Sequence, residues 1–261
     1  MVTAPVGFQC PDCTHEGAQR SQTIDARSLT TTTPIVTYVL IGLNAAVFLI
    51  GLVYPSAQGL AGDDQLRLDY GLAVNRVSNG EWWRLVTGGF LHGGMLHLLM
   101  NMWALYVVGT VLEQVLGRGR YILLYVVSLM GGALGVVIVD MLGDPSLTVG
   151  ASGAVFGLFG ALVVVQRSRG MSLMQSGLAW IIGLNLLITF TIPNISIGGH
   201  LGGLIAGAAA AAVMLAGRPM TRQADGERLS RASVVGVVIV GCGVLALALA
   251  GSVDPIGLCP A

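Results

Sequence analysis

The sequence predicts an all-α integral membrane protein, and three observations carry that prediction. The chain of 261 residues is 54% apolar with a mean hydropathy of +0.79, yet only 10% of its residues are charged. An ordinary soluble domain carries about 25%. Its uncharged runs recur at the length a spanning helix needs, about 20 residues for roughly 30 Å of hydrocarbon. All 13 basic residues are arginines, and they gather between the runs rather than on one face. Phosphate binding needs clustered exposed cations, and disorder needs low hydrophobicity with high net charge. A nucleic-acid partner and a disordered chain are both excluded.

Taken in order, the expected spans are Pro34–Val53, Phe90–Leu112, Tyr121–Val139, Val149–Val165, Ser172–Ile192, Ile197–Ala216 and Ser233–Ala250. The break at Ile192-Pro193-Asn194 reads as a turn between the fifth and sixth. Residues 1–33 are polar, rich in Ser and Thr, and without the apolar heart of a cleavable signal peptide. The first span is therefore expected to be an uncleaved anchor. Short cytoplasmic loops hold the positive excess, and an inside N-terminus leaves only Arg67, Arg76 and Arg84 outside. The organisation expected is a cytoplasmic tail (1–33), a six-helix core (34–216), a cytoplasmic linker (217–232), a seventh transmembrane helix (233–251) and an extracytoplasmic tail (252–261). A bacterial plasma membrane is the expected location.

The cysteines do not form a disulfide framework, since Cys10 and Cys13 fall on the reducing side, Cys242 within the last span and Cys259 outside. Cys10, Cys13 and His15 supply three ligands where a closed zinc site takes four. The shortfall favours a plain tail, and whether the three bind zinc stays open. No resident metal or cofactor is expected.

Polar groups inside a span are expensive and mark function by default. No Asp or Glu lies in a span interior, Glu113 and Asp140 being at helix ends. Aspartyl proteolysis and carboxylate proton relays therefore lack their groups, and no His-Glu-x-x-His offers a zinc protease. Three constellations remain. His97 and Asn101 are four residues apart, hence on one helix face, while His92 reads as a structural histidine in the approach to that helix. Gly150-Ala151-Ser152-Gly153 opens the fourth span, with Gly157 following, and Gly199-His200 opens the sixth, with Gly203 and Gly207. Each has a plain explanation as small-residue packing with polar groups acting as interhelical glue. Parity tips the balance, because spans two, four and six run the same way and carry these residues in their first halves. Ser152 and His200 should sit on the order of 5 to 10 Å below their helix ends at about 1.5 Å per residue. A serine needs a base within hydrogen-bond reach to become a nucleophile. His200 can serve, as a dyad, with His97, Asn101 and the Ser152 backbone N–H as donors to an oxyanion.

In these residues the sequence resembles the rhomboid family of intramembrane serine proteases. The matching pieces are Glu81-Trp82-Trp83-Arg84, His97-x-x-x-Asn101, Gly150-x-Ser152-Gly153 with Gly157, and Gly199-His200-x-x-Gly203-x-x-x-Gly207. The resemblance implies a six-helix rhomboid core plus a seventh C-terminal transmembrane helix. It implies Ser152 as nucleophile, His200 as general base and His97 with Asn101 at the oxyanion site. Phe156 matches an aromatic position that packs on the catalytic imidazole, and Trp83 with Arg84 matches a pair in the first outer loop, where interfacial anchoring explains them equally well. The expected function is serine endopeptidase cleavage in or near transmembrane segments of other membrane proteins, which with the lipid bilayer are its partners. Small or helix-weakening residues are expected at the cut. The alternatives are a catalytically silent rhomboid-like module that binds membrane proteins and a multipass transporter. No repeat and no interior carboxylate supports transport.

Overall fold

The computed structural model describes residues 2–3, 8–9, 33–55, 61–143, 146–174, 177–192, 195–216 and 241. Cys10, Cys13 and His15, the 217–232 linker and, apart from Gly241, the proposed seventh helix lie outside the described residues. The chain divides into two units, Met1–Thr33 and Pro34–Ala261. The first unit contains a two-residue antiparallel pairing of Val2–Thr3 with Phe8–Gln9.

The second unit is helical. Its described helices are α1 (Ile35–Val53), α2 (Gly62–Tyr70), α3 (Val74–Ser78), α4 (Arg84–Thr87), α5 (Met95–Leu116), α6 (Arg118–Leu142), α7 (Ser152–Ser168), α8 (Leu178–Thr191) and α9 (Ile197–Leu215). Among the described residues α1, α5, α6 and α9 are long and apolar enough to cross a membrane. Large side chains such as Leu49, Leu96, Trp180 and Ile205 point outward, 61–73% exposed. That suits a hydrocarbon solvent and would be costly in water.

One helix is displaced along its sequence run and another is shorter than its run. The α7 helix has 17 residues and α8 has 14, about 25 Å and 21 Å at 1.5 Å per residue, against roughly 30 Å of hydrocarbon. Gly150, at φ +132°, turns the backbone out of helical space before Ser152, so α7 begins at Ser152 rather than at Val149. Gly177, in the left-handed region at φ +74°, stands immediately before α8, so that helix begins at Leu178 rather than Ser172. The second span also starts later than expected, at Met95, because residues 88–90 form a single 3₁₀ turn followed by irregular backbone.

Three helices make the centre. Cβ atoms built on Gly131 or Gly135 of α6 would overlap α9 at Gly202, Ala206 or Gly198. Cβ atoms on Gly203 and Gly207 of α9 would overlap the carbonyls of Gly153 and Gly157 on α7. The order of these contacts makes α6 antiparallel and α7 parallel to α9. Backbones approaching this closely gain dispersion contacts that lipid cannot offer, which is how small residues drive helix association in membranes.

The far end of α5 holds α1. Glu113 is 2% exposed and accepts from Val36 N at 2.9 Å, Thr37 N at 2.8 Å and Thr37 Oγ1 at 2.8 Å. Pro34, at the N-cap of α1, provides no side-chain cap. The α1 N-terminus therefore takes its acceptor from another helix, and a carboxylate there also suits the helix dipole. Glu113→Ala removes the acceptor for two helix-terminal amides and is expected to destabilise the protein by about 2–3 kcal/mol. Equilibrium unfolding in detergent checks this, and an unchanged midpoint would contradict it.

Candidate active site

Ser152 is the first residue of α7 and is half-buried. Being first, it holds no depth within its helix, contrary to the sequence expectation. The first N–H groups of a helix have no intrahelical acceptor, so the Ser152 amide is available as a donor.

The segment leading to Ser152 is stitched to the loop after α1. Leu72 and Thr148 exchange backbone hydrogen bonds of 3.0 and 2.8 Å, and Gly150 N donates to Gly88 O at 2.9 Å. Arg84, 3% exposed, fixes that loop by donating to Leu68 O at 3.1 Å, Gly71 O at 2.8 Å and Glu81 Oε2 at 2.6 Å. The Arg84 hydrogen bond holds the Glu81 carboxyl below its usual range. Trp82 and Trp83 are exposed neighbours of this buried cation. Arg84 is thus a loop-pinning residue, whereas the exposed rings fit interfacial anchoring.

His97 and Asn101 share a face of α5. Gly93 N donates to His97 Nδ1 at 3.2 Å. A backbone amide can only donate, so Nδ1 accepts and the neutral ring carries its proton on Nε2. That Nε2 lies beside Gly150: a Cβ built there would stand 3.0 Å from His97 Nε2, 2.9 Å from its Cε1 and 3.5 Å from Ser152 Oγ. The ring edge and the hydroxyl therefore converge on one glycine. Asn101, 6% exposed, donates one amide hydrogen to His97 O at 2.9 Å, and its second hydrogen remains for another acceptor. His92, expected to be structural, is buried with its ring 5.2 Å from that of His97.

His200 sits in the first turn of α9, which Ser196 caps by accepting from Gly199 N at 3.1 Å. Phe156 stacks on the imidazole with ring centroids 4.0 Å apart and planes 14° from parallel. Thr189 Oγ1 lies 2.6 Å from His200 Nδ1. Ser152 and His200 stand on the two parallel helices whose backbones meet at Gly153 and Gly203. Among the described hydrogen bonds none joins Ser152 Oγ to His200. A small cavity of about 30 Å³ adjoins Ser152, lined by Gly132, Ala133, Val136, Thr148, Ser196 and others. A larger one, about 700 Å³, lies against Tyr54, Asp69, Arg76 and Trp83 and is lined by none of Ser152, His200, His97 and Asn101. No group of His, Cys, Asp and Glu suited to a metal occurs among the described residues.

The structure thus gathers His97 and Ser152 at Gly150 and sets His200 on the adjoining helix, with Asn101 one turn behind His97. A family model described as the Rhomboid domain matches residues 79–217, a span that includes all four. The chain belongs to the rhomboid family. It is similar to Rhomboid protease GluP of Bacillus subtilis, 37% identical over 80% of this chain and 40% of that protein. It is also similar to Putative rhomboid protease YdcA of the same organism, 35% identical over 67% of this chain and 85% of that one. RHOMBOID-like protein 5 of Arabidopsis thaliana is 41% identical over 50% of this chain and 43% of its own. The chain spans less than half the length of GluP and of the plant relative.

As a rhomboid this chain is a multipass membrane protein. Two features of its site escape the motifs. Thr189 is one threonine in an apolar run and carries no periodic signal. Gly88 contributes through its carbonyl, which any residue possesses. Gly150 is legible as part of a motif, but its reason is structural: a side chain there meets the His97 ring and must adopt a left-handed φ. Gly150→Ala is expected to destabilise the fold by about 1–3 kcal/mol, read by unfolding in detergent. Stability equal to that of the original protein would contradict the close approach.

Proposed function

We propose that this rhomboid is an intramembrane serine endopeptidase that cuts transmembrane segments of other membrane proteins with a Ser152–His200 dyad. The observation that carries the reading is the convergence of Ser152 Oγ and the His97 ring on Gly150, with His200 on the helix packed against α7.

In this reading His200 Nε2 takes the Ser152 proton as Oγ attacks the peptide carbonyl carbon. The tetrahedral oxyanion is met by His97 Nε2–H, the free Asn101 amide hydrogen and the Ser152 backbone N–H. Collapse returns the proton from His200 to the departing amine and leaves an acyl-serine. Water then loses a proton to His200 and attacks the ester, and His200 hands that proton to Ser152 Oγ as the acid departs, restoring both residues. Donors placed for the developing charge supply much of the acceleration. A substrate helix must first unwind, since its carbonyls are engaged within the chain.

The orientation is drawn from the arginine bias: N-terminus cytoplasmic, site toward the outer face, and C-terminus extracytoplasmic after a seventh helix over 233–251. The organisation proposed remains tail, six-helix core over 34–216, linker, seventh helix and outer tail.

A serine-directed phosphonate probe and a transmembrane substrate test the reading. Ser152→Ala is expected to abolish labelling and cleavage, and His200→Ala to abolish turnover. Asn101→Ala is expected to slow turnover about 100-fold, the usual loss for one oxyanion donor. Cleavage unaffected by Ser152→Ala would overturn the assignment, and an original chain that binds substrates without cutting them would be the silent module instead. The cavity beside Ser152 has room for one or two waters, hence for a methyl-sized group. Substrates with Ala at the cut are expected to outrun those with Phe by about 5- to 150-fold in kcat/KM, because overpacking such a space costs about 1–3 kcal/mol. Equal rates for the two would refute the reading of that cavity as the pocket for the substrate side chain at the cut.

A further inference from the structure

Thr189 closes a chain of hydrogen bonds that decides where the proton of His200 resides. Its Oγ1 lies 2.7 Å from Asn185 O, one turn back on α8, and 2.6 Å from His200 Nδ1. A hydroxyl has one proton to donate and two lone pairs to accept with, whereas a backbone carbonyl can only accept. The Thr189 proton is therefore committed to Asn185 O. At the second contact the hydroxyl oxygen must accept, so His200 Nδ1 must carry a hydrogen. In the neutral ring this leaves Nε2 with the free lone pair that a general base needs.

The geometry points to Thr189 as the positioning residue of the dyad, holding His200 in its Nδ1–H tautomer and fixing the rotation of the ring. This rests on the Ser152–His200 reading and adds the group that fills the place of the missing carboxylate. Phe156, stacked at 14°, prevents the ring from tilting, and Thr189 prevents it from turning in its plane. Thr189 is 2% exposed, so water does not compete for the contact. A neutral acceptor also suits a site inside a span, where a carboxylate would be costly to desolvate. The contact ties α8 to α9, and Thr189 is one of two buried residues of α8, with Leu178. The setting of the base therefore depends on where α8 stands.

The test uses the full chain in lipid vesicles with Thr189→Val, which keeps the shape and loses the hydroxyl, and Thr189→Ser, which keeps the hydroxyl. Thr189→Val is expected to lower kcat by about 10- to 100-fold with KM unchanged, part of the roughly 100- to 10,000-fold that a positioned general base contributes, while Thr189→Ser stays within about threefold of the original. Nitrogen-15 spectra of histidine-labelled protein provide a readout independent of activity, the His200 signals being those missing in His200→Ala. The original chain and Thr189→Ser are expected to show protonated Nδ1 and bare Nε2, and Thr189→Val a mixture. An unchanged His200 spectrum and unchanged kcat in Thr189→Val would overturn the proposal, as would a Thr189→Ser variant as slow as the valine. Failure of the dyad itself registers differently, as cleavage that survives Ser152→Ala.

Discussion

The helices that carry Ser152 and His200 can lie side by side only because α7 and α9 meet backbone to backbone at their glycines. At Gly203 a single added carbon would overlap the Gly153 carbonyl, and at Gly207 it would overlap that of Gly157. The same constraint holds on the third side, where Gly132 of α6 would place its Cβ 3.1 Å from both Gly153 Cα and Gly199 O. In water, three such helices would be driven together by apolar burial. In lipid that force is missing, and association depends on contact area and on polar groups. The glycines therefore serve stability and chemistry together: they let the helices pack, and they bring the two side chains to adjoining positions.

A second constraint arises from the first. Because α7 begins only at Ser152, the backbone that leads to it is irregular. Such backbone is tolerated in a membrane protein only where the protein satisfies it. The Leu72–Thr148 pairing and the Gly150–Gly88 hydrogen bond do this, and Arg84 holds the supporting loop through the Leu68 and Gly71 carbonyls. Charge is thus used sparingly, three of the four buried charged side chains among the described residues acting as clamps: Glu113 on the α1 amides, Arg84 on the loop carbonyls, and Asp140 on Ser146 N at 3.1 Å and Oγ at 2.9 Å.

Much of this was legible in the residues. Apolar run length located the helices at the positions of the first six predicted spans, and the small-residue spacing pointed to close packing. The ends of the helices were harder. Val149, Gly150 and Ala151 are as apolar as the residues after them, so hydropathy cannot tell a helical turn from the extended backbone that ends at Gly150. Counting residues from the start of the apolar run also put Ser152 below its helix end, whereas the structure puts it at the end itself. The rhomboid resemblance pointed to Phe156 as an aromatic partner of the imidazole, and it stacks on His200. Thr189 could not be found that way, since its role depends on a contact between helices rather than on a pattern along one.

The most direct measurement is a structure of the protein after reaction with a phosphonyl fluoride. The account predicts phosphorus bonded to Ser152 Oγ, with the phosphoryl oxygen about 2.7–3.1 Å from both His97 Nε2 and the Asn101 amide nitrogen, and His200 Nε2 facing the adduct. A protein that forms no adduct at Ser152, or one whose phosphoryl oxygen points away from His97 and Asn101, would contradict it.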